Sequence, residues 1–167
     1  MEATTFVRAP MIAITVMRVL VGWHFFYEGL TKLTAPSWTA AGYLKQAKGP
    51  LAEQFKSLAS RPDLLANADL ITMWGLTIVG ACLMLGLFTR LAGAIGIGFI
   101  LLFYLAAPPW IGYFYAIPSE GSYLLVNKNL VELSALVVIL LTGSGRFAGL
   151  DRIVHGVIRR RPRLAEA

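Results

Sequence analysis

The stretch LITMWGLTIVGACLMLGLFTRLAGAIGIGFILLFYLAA, residues 70–107, decides the fold. Arg90 is its one charged residue. A single helical crossing of a bilayer takes about 20 mostly apolar residues, so the stretch is long enough for two crossings. We therefore predict membrane-spanning helices at about 70–88 and 91–107. Because only Thr89 and Arg90 separate them, the two helices must form a tight antiparallel hairpin. Small residues open the second helix, and we expect a pair such as Ala94 and Gly98 to let helix backbones approach closely.

Two further apolar segments, at about 11–33 and 123–142, approach the same length. Hydrophobic residues make up 57% of the chain and charged residues only 14%, with a mean hydropathy of +0.66. An ordinary soluble domain carries about 25% charged residues, so this composition excludes one. The sequence predicts an all-α integral membrane protein, a bundle of four transmembrane helices in one domain over residues 1–167.

The distribution of positive charge predicts how the chain lies in the membrane. The net charge is +6, and much of the excess is in the C-terminal residues Arg159, Arg160, Arg161 and Arg163. A basic tail after an apolar helix is typical of a cytoplasmic anchor on anionic lipid rather than of nucleic-acid binding. The short segments on the side of the termini carry most of the arginines. We therefore predict a bacterial-type inner membrane with both termini in the cytoplasm.

The two loops on the opposite, outer side have different compositions. Residues 34–69 form a long loop in which Ala40–Lys48 and Leu51–Leu58 mix apolar and basic residues at helical spacing. We expect these segments to form short amphipathic helices on the outer membrane surface. Residues 108–121 are rich in Pro, Gly and aromatic residues, and we expect them to form a lid over the outer mouth of the bundle.

Several ionisable and polar residues lie inside the predicted spans. His24, Glu28 and Lys32 follow one another at i, i+4 in the first span, and Asn129 and Glu132 share a face of the fourth. A charge at the centre of a span costs roughly 2.5–3.5 kcal/mol on insertion scales, so such residues indicate a functional site by default. Since both sets lie at similar depth, we expect one polar cluster in the outer leaflet.

Plainer interpretations of these residues stay open at this point. Lys32 can reach the membrane surface along its stem, Asn127 can cap the fourth helix, and a Glu28 ion pair can be architectural. Arg18 lies about 15 Å deeper than Glu28 along the helix. His155 falls on the side opposite His24, so no haem is expected, and no metal site is predicted. The lone Cys82 is expected to pack as a small apolar residue.

Aromatic residues are concentrated in the outer half of the predicted spans and in the outer loops. One interpretation is an interfacial belt. The other is a pocket that holds a flat ring. Four rings in the predicted spans are the candidates for stacking on such a ligand: Trp23, Tyr27, Trp74 and Tyr104.

Three motifs resemble the DoxX/DoxD family in their order and spacing. They are RVLVGWHFFYEGLTKL (18–33), GLFTRLAG (86–93) and NKNLVELSALVVILLTGSGRFAGLD (127–151). The resemblance covers nearly the whole chain and implies a four-helix membrane bundle linked to membrane redox chemistry. The activity named for the family is thiosulfate:quinone oxidoreductase, which joins two thiosulfates into tetrathionate and passes two electrons to quinone. A second subunit belongs to that complex.

The leading hypothesis is therefore a membrane subunit of a quinone-linked oxidoreductase, with quinone as a diffusible acceptor and a partner subunit or a second copy beside it. Glu28, Glu132 and His24 are the candidate proton-exchanging residues. The candidate residues for binding substrate or quinone are Arg18, Trp23, Tyr27, Lys32, Trp74, Tyr104 and Asn129. The alternative is a non-catalytic membrane anchor or assembly partner of a redox complex. A small transporter would instead require polar residues along the whole depth of the bundle.

Overall fold

The computed structural model describes residues 2–116 and 124–160, and these residues fold into helices joined by short segments. In chain order the helices are α1 (Glu2–Thr34), α2 (Ala41–Lys45), α3 (Ala52–Ala59), α4 (Pro62–Leu85), α5 (Thr89–Ala106), α6 (Lys128–Thr142), α7 (Ser144–Phe147) and α8 (Asp151–Arg160). Within the described residues, α1, α4 and α5 are long and apolar enough to cross a membrane. The predicted all-helical architecture is confirmed over the described residues.

The predicted hairpin is present, but two helix boundaries differ from prediction. Helix α4 begins at Pro62, well before residue 70, because a proline is well tolerated in the first helical turn, where its missing N–H needs no partner. Helix α6 begins only at Lys128 and has 15 residues, and the Asn127 side chain caps it by accepting a hydrogen bond from the Leu130 amide. Tyr123, the predicted start of the fourth span, lies outside the described residues.

Helices α1 and α4 cross so closely that only glycine fits at the contact. A side-chain carbon added at Gly80 would overlap the backbone of Phe26, and one added at Gly29 would overlap Thr77. Small residues allow helix backbones to approach closely in lipid, where dispersion rather than water exclusion holds the helices together. The α1–α4 contact is therefore fixed by the positions of its glycines.

The close contact expected from the small residues of α5 is not formed with α4. Ala94 and Gly98, the predicted pair, are exposed, and a side-chain carbon added at Gly98 would meet nothing within 4 Å. Gly96 instead faces α6, where such a carbon would lie 3.3 Å from Leu136. The prediction was wrong because spacing along α5 does not reveal which of its faces meets another helix.

A core of apolar side chains joins α1, α4, α5 and α6. Leu83, Leu136 and Ile139 are fully buried in it. Its buried members are Val21, Phe25, Leu76, Val79, Leu83, Ala92, Phe99, Ile100, Leu136 and Ile139, and the lone Cys82 packs against them as expected. The shared core holds α6 against α1 and α5.

The end of the molecule that contains the α4–α5 turn is here called the hairpin end. Residues that follow α6 in the chain make polar contacts with this turn. Gly86 and Phe88 both have positive φ, 66° and 48°, which lets the chain reverse within three residues. The Asp151 carboxylate accepts hydrogen bonds from the amides of Phe88 at 2.7 Å and Thr89 at 3.0 Å. These amides lie at the start of α5, so Asp151 satisfies donors that the helix leaves unpaired.

Arg18 is buried near the same end, with 1% of its surface exposed. Its guanidinium donates a 2.6 Å hydrogen bond to the Ala148 carbonyl and lies 3.5 Å from the Ser144 hydroxyl. Arg18 thus links α1 to the α7 segment. The side chains of Arg159 and Arg160 in α8, together with Arg161 and Arg163 beyond it, lie outside the described side chains, so the predicted basic anchor stays a prediction.

The opposite end, here called the cavity end, carries α2 and α3. Both predicted short helices are formed. At the start of α2 the Ala40 amide donates to the Asp69 carboxylate at 2.8 Å, and beyond α2 the Lys48 amide donates to the Ala106 carbonyl at 3.1 Å. The hydroxyl of Tyr43 donates to the Phe103 carbonyl at 2.8 Å. Helix α2 therefore lies across the gap between the beginning of α4 and the end of α5.

Candidate functional site

A cavity of about 1230 Å³ lies at the cavity end, among α1, α4, α5 and α6 and beneath α2. Every one of these helices contributes to its wall. Its polar lining includes His24, Glu28, Lys32, Thr72, Asn127, Lys128, Asn129 and Glu132, and its apolar and aromatic lining includes Phe25, Trp38, Tyr43, Phe55, Ile71, Leu76, Phe99, Ile100, Leu102, Phe103, Tyr113, Phe114 and Tyr115. Small-molecule binding sites typically have a mainly apolar wall with a few polar groups, and this cavity has that composition.

The polar wall of the cavity is a connected row of side chains. Nδ1 of His24 lies 2.5 Å from Oε1 of Glu132, and Nε2 of the same ring lies 4.0 Å from Oε1 of Glu28. Lys32 pairs with the second carboxylate oxygen of Glu28 and also donates to the Glu28 carbonyl at 3.0 Å. The row Lys32–Glu28–His24–Glu132, here called the relay, therefore joins α1 to α6.

Helix geometry explains how the relay forms. Three of its members follow at i, i+4 on α1, which places them one above the other on the same face. Glu132 lies just beyond the Asn127 cap, in the part of α6 that faces α1. Because α6 begins at the end of the molecule where α1 finishes, the two polar segments meet at one depth.

The relay determines which imidazole nitrogen faces the cavity. Nδ1 of His24 is the nitrogen that is hydrogen-bonded to the Glu132 carboxyl group. The Nε2 atom is then left on the side of Glu28, with 40% of the His24 side chain and 45% of the Glu28 side chain exposed. Only 10% of the Glu132 side chain is exposed. His24 and Glu28 are thus the relay groups a ligand can reach most readily.

Most of the remaining cavity lining is apolar or aromatic. The Phe99 and Phe103 rings are tilted toward each other at a centroid distance of 6.0 Å, and Tyr43 meets Phe103 edge to face at 6.2 Å. Ile100 and Leu76 are almost fully buried behind these rings. A flat apolar ligand would therefore contact aromatic side chains on one side and the relay on the other, in surroundings of low dielectric.

The roof of the cavity is fixed by hydrogen bonds between the segment that follows α2 and residues 108–116. Lys48 donates to the Phe114 carbonyl at 2.6 Å and lies over the Tyr115 ring, and the Gln46 side chain accepts from the Ala116 amide at 2.8 Å. Burial raises the pKa of the Tyr43 and Tyr115 phenols, so both stay protonated hydrogen-bond donors. Residues 108–116 of the predicted lid do cover the cavity, and residues 117–121 lie outside the described part.

A model of the DoxX family matches residues 13–109, more than half of the chain. The chain belongs to the DoxX family. No curated protein and no solved structure matches it. The matched region contains α1, α4 and α5 with the three relay residues of α1, and Glu132 on α6 lies beyond it. Family membership and the apolar helices together identify a membrane protein.

This DoxX chain brings most of the predicted polar cluster together. His24, Glu28, Lys32 and Glu132 form the relay, and Asn129 lines the same cavity. Arg18 does not line it, because its guanidinium is buried against Ala148 toward the hairpin end. Arg18 therefore links helices toward the hairpin end, and its predicted role in binding substrate stays a prediction. Among the described residues, no three His, Cys, Asp or Glu side chains are placed to hold a metal ion.

The four rings predicted to stack on a quinone do not line the cavity of this DoxX chain. Trp23, Tyr27 and Trp74 expose 52%, 54% and 53% of their surface on the outside of the helices. The hydroxyl of Tyr104 donates to the Leu125 carbonyl at 3.0 Å, and its ring likewise stays outside the cavity lining. The first three therefore have the positions of interfacial rings that face lipid.

The aromatic residues that do line the cavity come mostly from loops or from α5. They include Trp38, Tyr43, Tyr115, Phe99 and Phe103. Our candidates for stacking lie only in the predicted spans, because apolar spacing does not indicate whether the loop folds inward. The sequence does contain one indication of these cavity rings, because a loop rich in aromatic residues and adjacent to a polar cluster is well suited to cover a pocket.

Proposed function

We propose that this chain is the membrane subunit of a quinone-linked oxidoreductase, with the quinone ring held in the cavity beneath α2. The observation that carries the proposal is the relay, which lies in the wall of a large cavity whose remaining lining is mainly aromatic and apolar. A quinone combines a flat ring, two carbonyl oxygens and an apolar tail. The cavity offers a surface for each of these parts.

The proposed reaction is the reduction of quinone to quinol, which takes two electrons and two protons. The Nε2 edge of His24 and the carboxyl of Glu28 are the groups placed to supply protons to a carbonyl oxygen. General acids work best within direct hydrogen-bond reach of the atom that they protonate. Glu132 supports His24 from the far side, and Asn129 is available as a neutral hydrogen-bond partner for the ligand.

The electrons come from a donor outside this cavity. In the reaction that the family resemblance implies, two thiosulfates become tetrathionate and release two electrons, which matches what one quinone accepts. No haem or metal is invoked, so electrons have to reach the quinone from a donor docked close by. We propose a partner subunit, or a second copy of the chain, in that position.

In the membrane, we propose α6 as a fourth crossing that completes a bundle with α1, α4 and α5. The shared core and the contacts of α6 with α5 and α1 support this arrangement. We propose a bacterial-type inner membrane with both termini in the cytoplasm and the cavity in the outer leaflet. A reporter fused after Ala167 tests it, and reporter activity on the periplasmic side only would reverse the orientation.

Purification in mild detergent, followed by quinone extraction and identification of co-purifying proteins, tests the function. Quinone should be present at close to one per chain. Reduction of a soluble quinone analogue by thiosulfate should be fast only when a partner is present. Loss of quinone after His24→Leu, with the fold retained, would support the proposal. A chain that neither retains nor rebinds quinone would instead be a non-catalytic anchor or assembly partner.

A further inference from the structure

The charges that line the cavity cancel one another. Its lining contains two acidic residues, Glu28 and Glu132, and two basic residues, Lys32 and Lys128, with His24 between the acids. Among the described lining residues, these two carboxylates and two ammonium groups sum to zero. An empty cavity with balanced charge has no net attraction for an anion, which must leave water to enter.

The basic side chains of the relay are also held by partners. Lys32 pairs with Glu28 and donates to its carbonyl oxygen, and the imidazole of His24 is hydrogen-bonded to Glu132. Helix α6 points its positive end at the cavity, and such ends attract anions. Here the Asn127 side chain already accepts from the first-turn amide of Leu130, so part of that end is occupied.

Arg18, the buried cation deeper in α1, is equally unavailable. Its guanidinium donates to Ala148 toward the hairpin end and is almost fully buried there. In the described part of the cavity, an anion would therefore meet paired charges and a lining that is otherwise mainly apolar. Oxyanions such as thiosulfate carry two negative charges and would have to disrupt the Lys32–Glu28 pair to bind.

We infer that the cavity selects uncharged, ring-bearing ligands and excludes oxyanions, and that Glu28 enforces this selectivity by neutralising Lys32. The inference rests on the proposed function and deepens it. The chain then provides the quinone half of the reaction, and the anionic electron donor is bound by another subunit. The residue that sets the selectivity is a carboxylate whose removal should turn the cavity into an anion site.

The test compares one neutral and one anionic ligand of similar shape. Purified full-length protein in nonionic detergent is titrated, at constant ionic strength, with 2-methyl-1,4-naphthoquinone and with a sulfonated naphthoquinone. Wild type should bind the neutral quinone at least roughly tenfold more tightly, as expected for an uncompensated charge in a partly buried site. In Glu28→Gln the preference should disappear or reverse. Equal binding of both quinones by wild type would overturn the inference.

A thiosulfate titration decides the inference without reference to quinone. Glu28→Gln should bind thiosulfate roughly tenfold more tightly than wild type, and adding Lys32→Met should cancel the gain. Glu53→Gln is the matched control, because it removes the same charge from an exposed i, i+3 pair with Lys56 outside the cavity. No gain in Glu28→Gln, or an equal gain in Glu53→Gln, would contradict the inference. Absence of quinone binding would overturn only the proposed function.

Discussion

His24 on α1 and Glu132 on α6 are joined by a 2.5 Å contact between Nδ1 and Oε1, although 108 positions separate them in the chain. The contact ties the two helices together at the wall of the cavity and fixes the orientation of the imidazole. Its structural and catalytic roles can be separated by measuring stability and activity independently. If the pair only holds the helices together, well-packed apolar side chains can replace it without loss of stability or activity.

The double substitution His24→Phe with Glu132→Leu should keep the fold and abolish quinone reduction. Its unfolding free energy should lie within about 1 kcal/mol of wild type or above it, because no buried polar group is left unpaired. Glu132→Leu alone should cost about 1–3 kcal/mol by leaving His24 without its acceptor. Denaturant titration in detergent and a quinone-reduction assay measure the two effects. Full activity in the double variant would show the relay to be architectural.

Gly80→Ala should destabilise the chain, and Gly98→Ala should not. A methyl group at Gly80 overlaps the α1 backbone at Phe26, and the resulting separation of α1 from α4 should cost about 1–3 kcal/mol. Gly98 lies on an open face of α5, where alanine favours the helix by up to about 1 kcal/mol. Unfolding of both variants in the same detergent gives the comparison. Equal stabilities would contradict the close α1–α4 crossing.

Arg18→Met should lower stability without changing quinone affinity. The substitution removes the hydrogen bond from the guanidinium to the Ala148 carbonyl, and a bond of this charged kind is worth about 1.5–3 kcal/mol. Arg152→Met, on the exposed surface of α8, removes the same charge and serves as control. Thermal unfolding and quinone titration are measured on both. A large fall in quinone affinity with unchanged stability would place Arg18 in the binding site.

Substitution of the outward-facing rings should leave quinone binding intact, whereas substitution of a cavity ring should weaken it. Trp74→Leu removes a ring that is 53% exposed on α4. Trp38→Leu removes a ring that lines the cavity and lies 5.7 Å from the Lys32 ammonium. We expect roughly a tenfold loss of affinity for the second, as loss of about 1.4 kcal/mol would produce. A larger loss of quinone affinity in Trp74→Leu than in Trp38→Leu would instead support the rings predicted from sequence.

The sequence alone predicts the membrane class, the two spans of the hairpin and the relay on α1. Each of these depends on local information, such as the length of an apolar run or the i, i+4 spacing of His24, Glu28 and Lys32. The Asn127 cap is equally local. Such features do not depend on how the rest of the chain folds, so they can be predicted without a structure.

The parts that could not be predicted depend on which helix faces which neighbour. Gly29 on α1 meets Thr77 on α4, and Gly80 on α4 meets Phe26 on α1. No pattern within either helix predicts these contacts. Periodicity places Trp23 and Tyr27 on a face of α1 without saying whether lipid or protein covers it. Tyr43 lines the cavity only because α2 folds back between α4 and α5 through bonds to Asp69 and Phe103.

Photolabelling with an azido-quinone is the most direct test of a quinone site in the cavity. The purified chain is illuminated with the probe, and the labelled residues are mapped by mass spectrometry of its peptides. We expect saturable labelling, displaced by unlabelled quinone, on cavity residues of α2 and α5 such as Tyr43 and Phe103. Labelling confined to the outer surface at Trp23 and Trp74, or labelling that excess quinone does not displace, would contradict a quinone site between the relay and the aromatic wall.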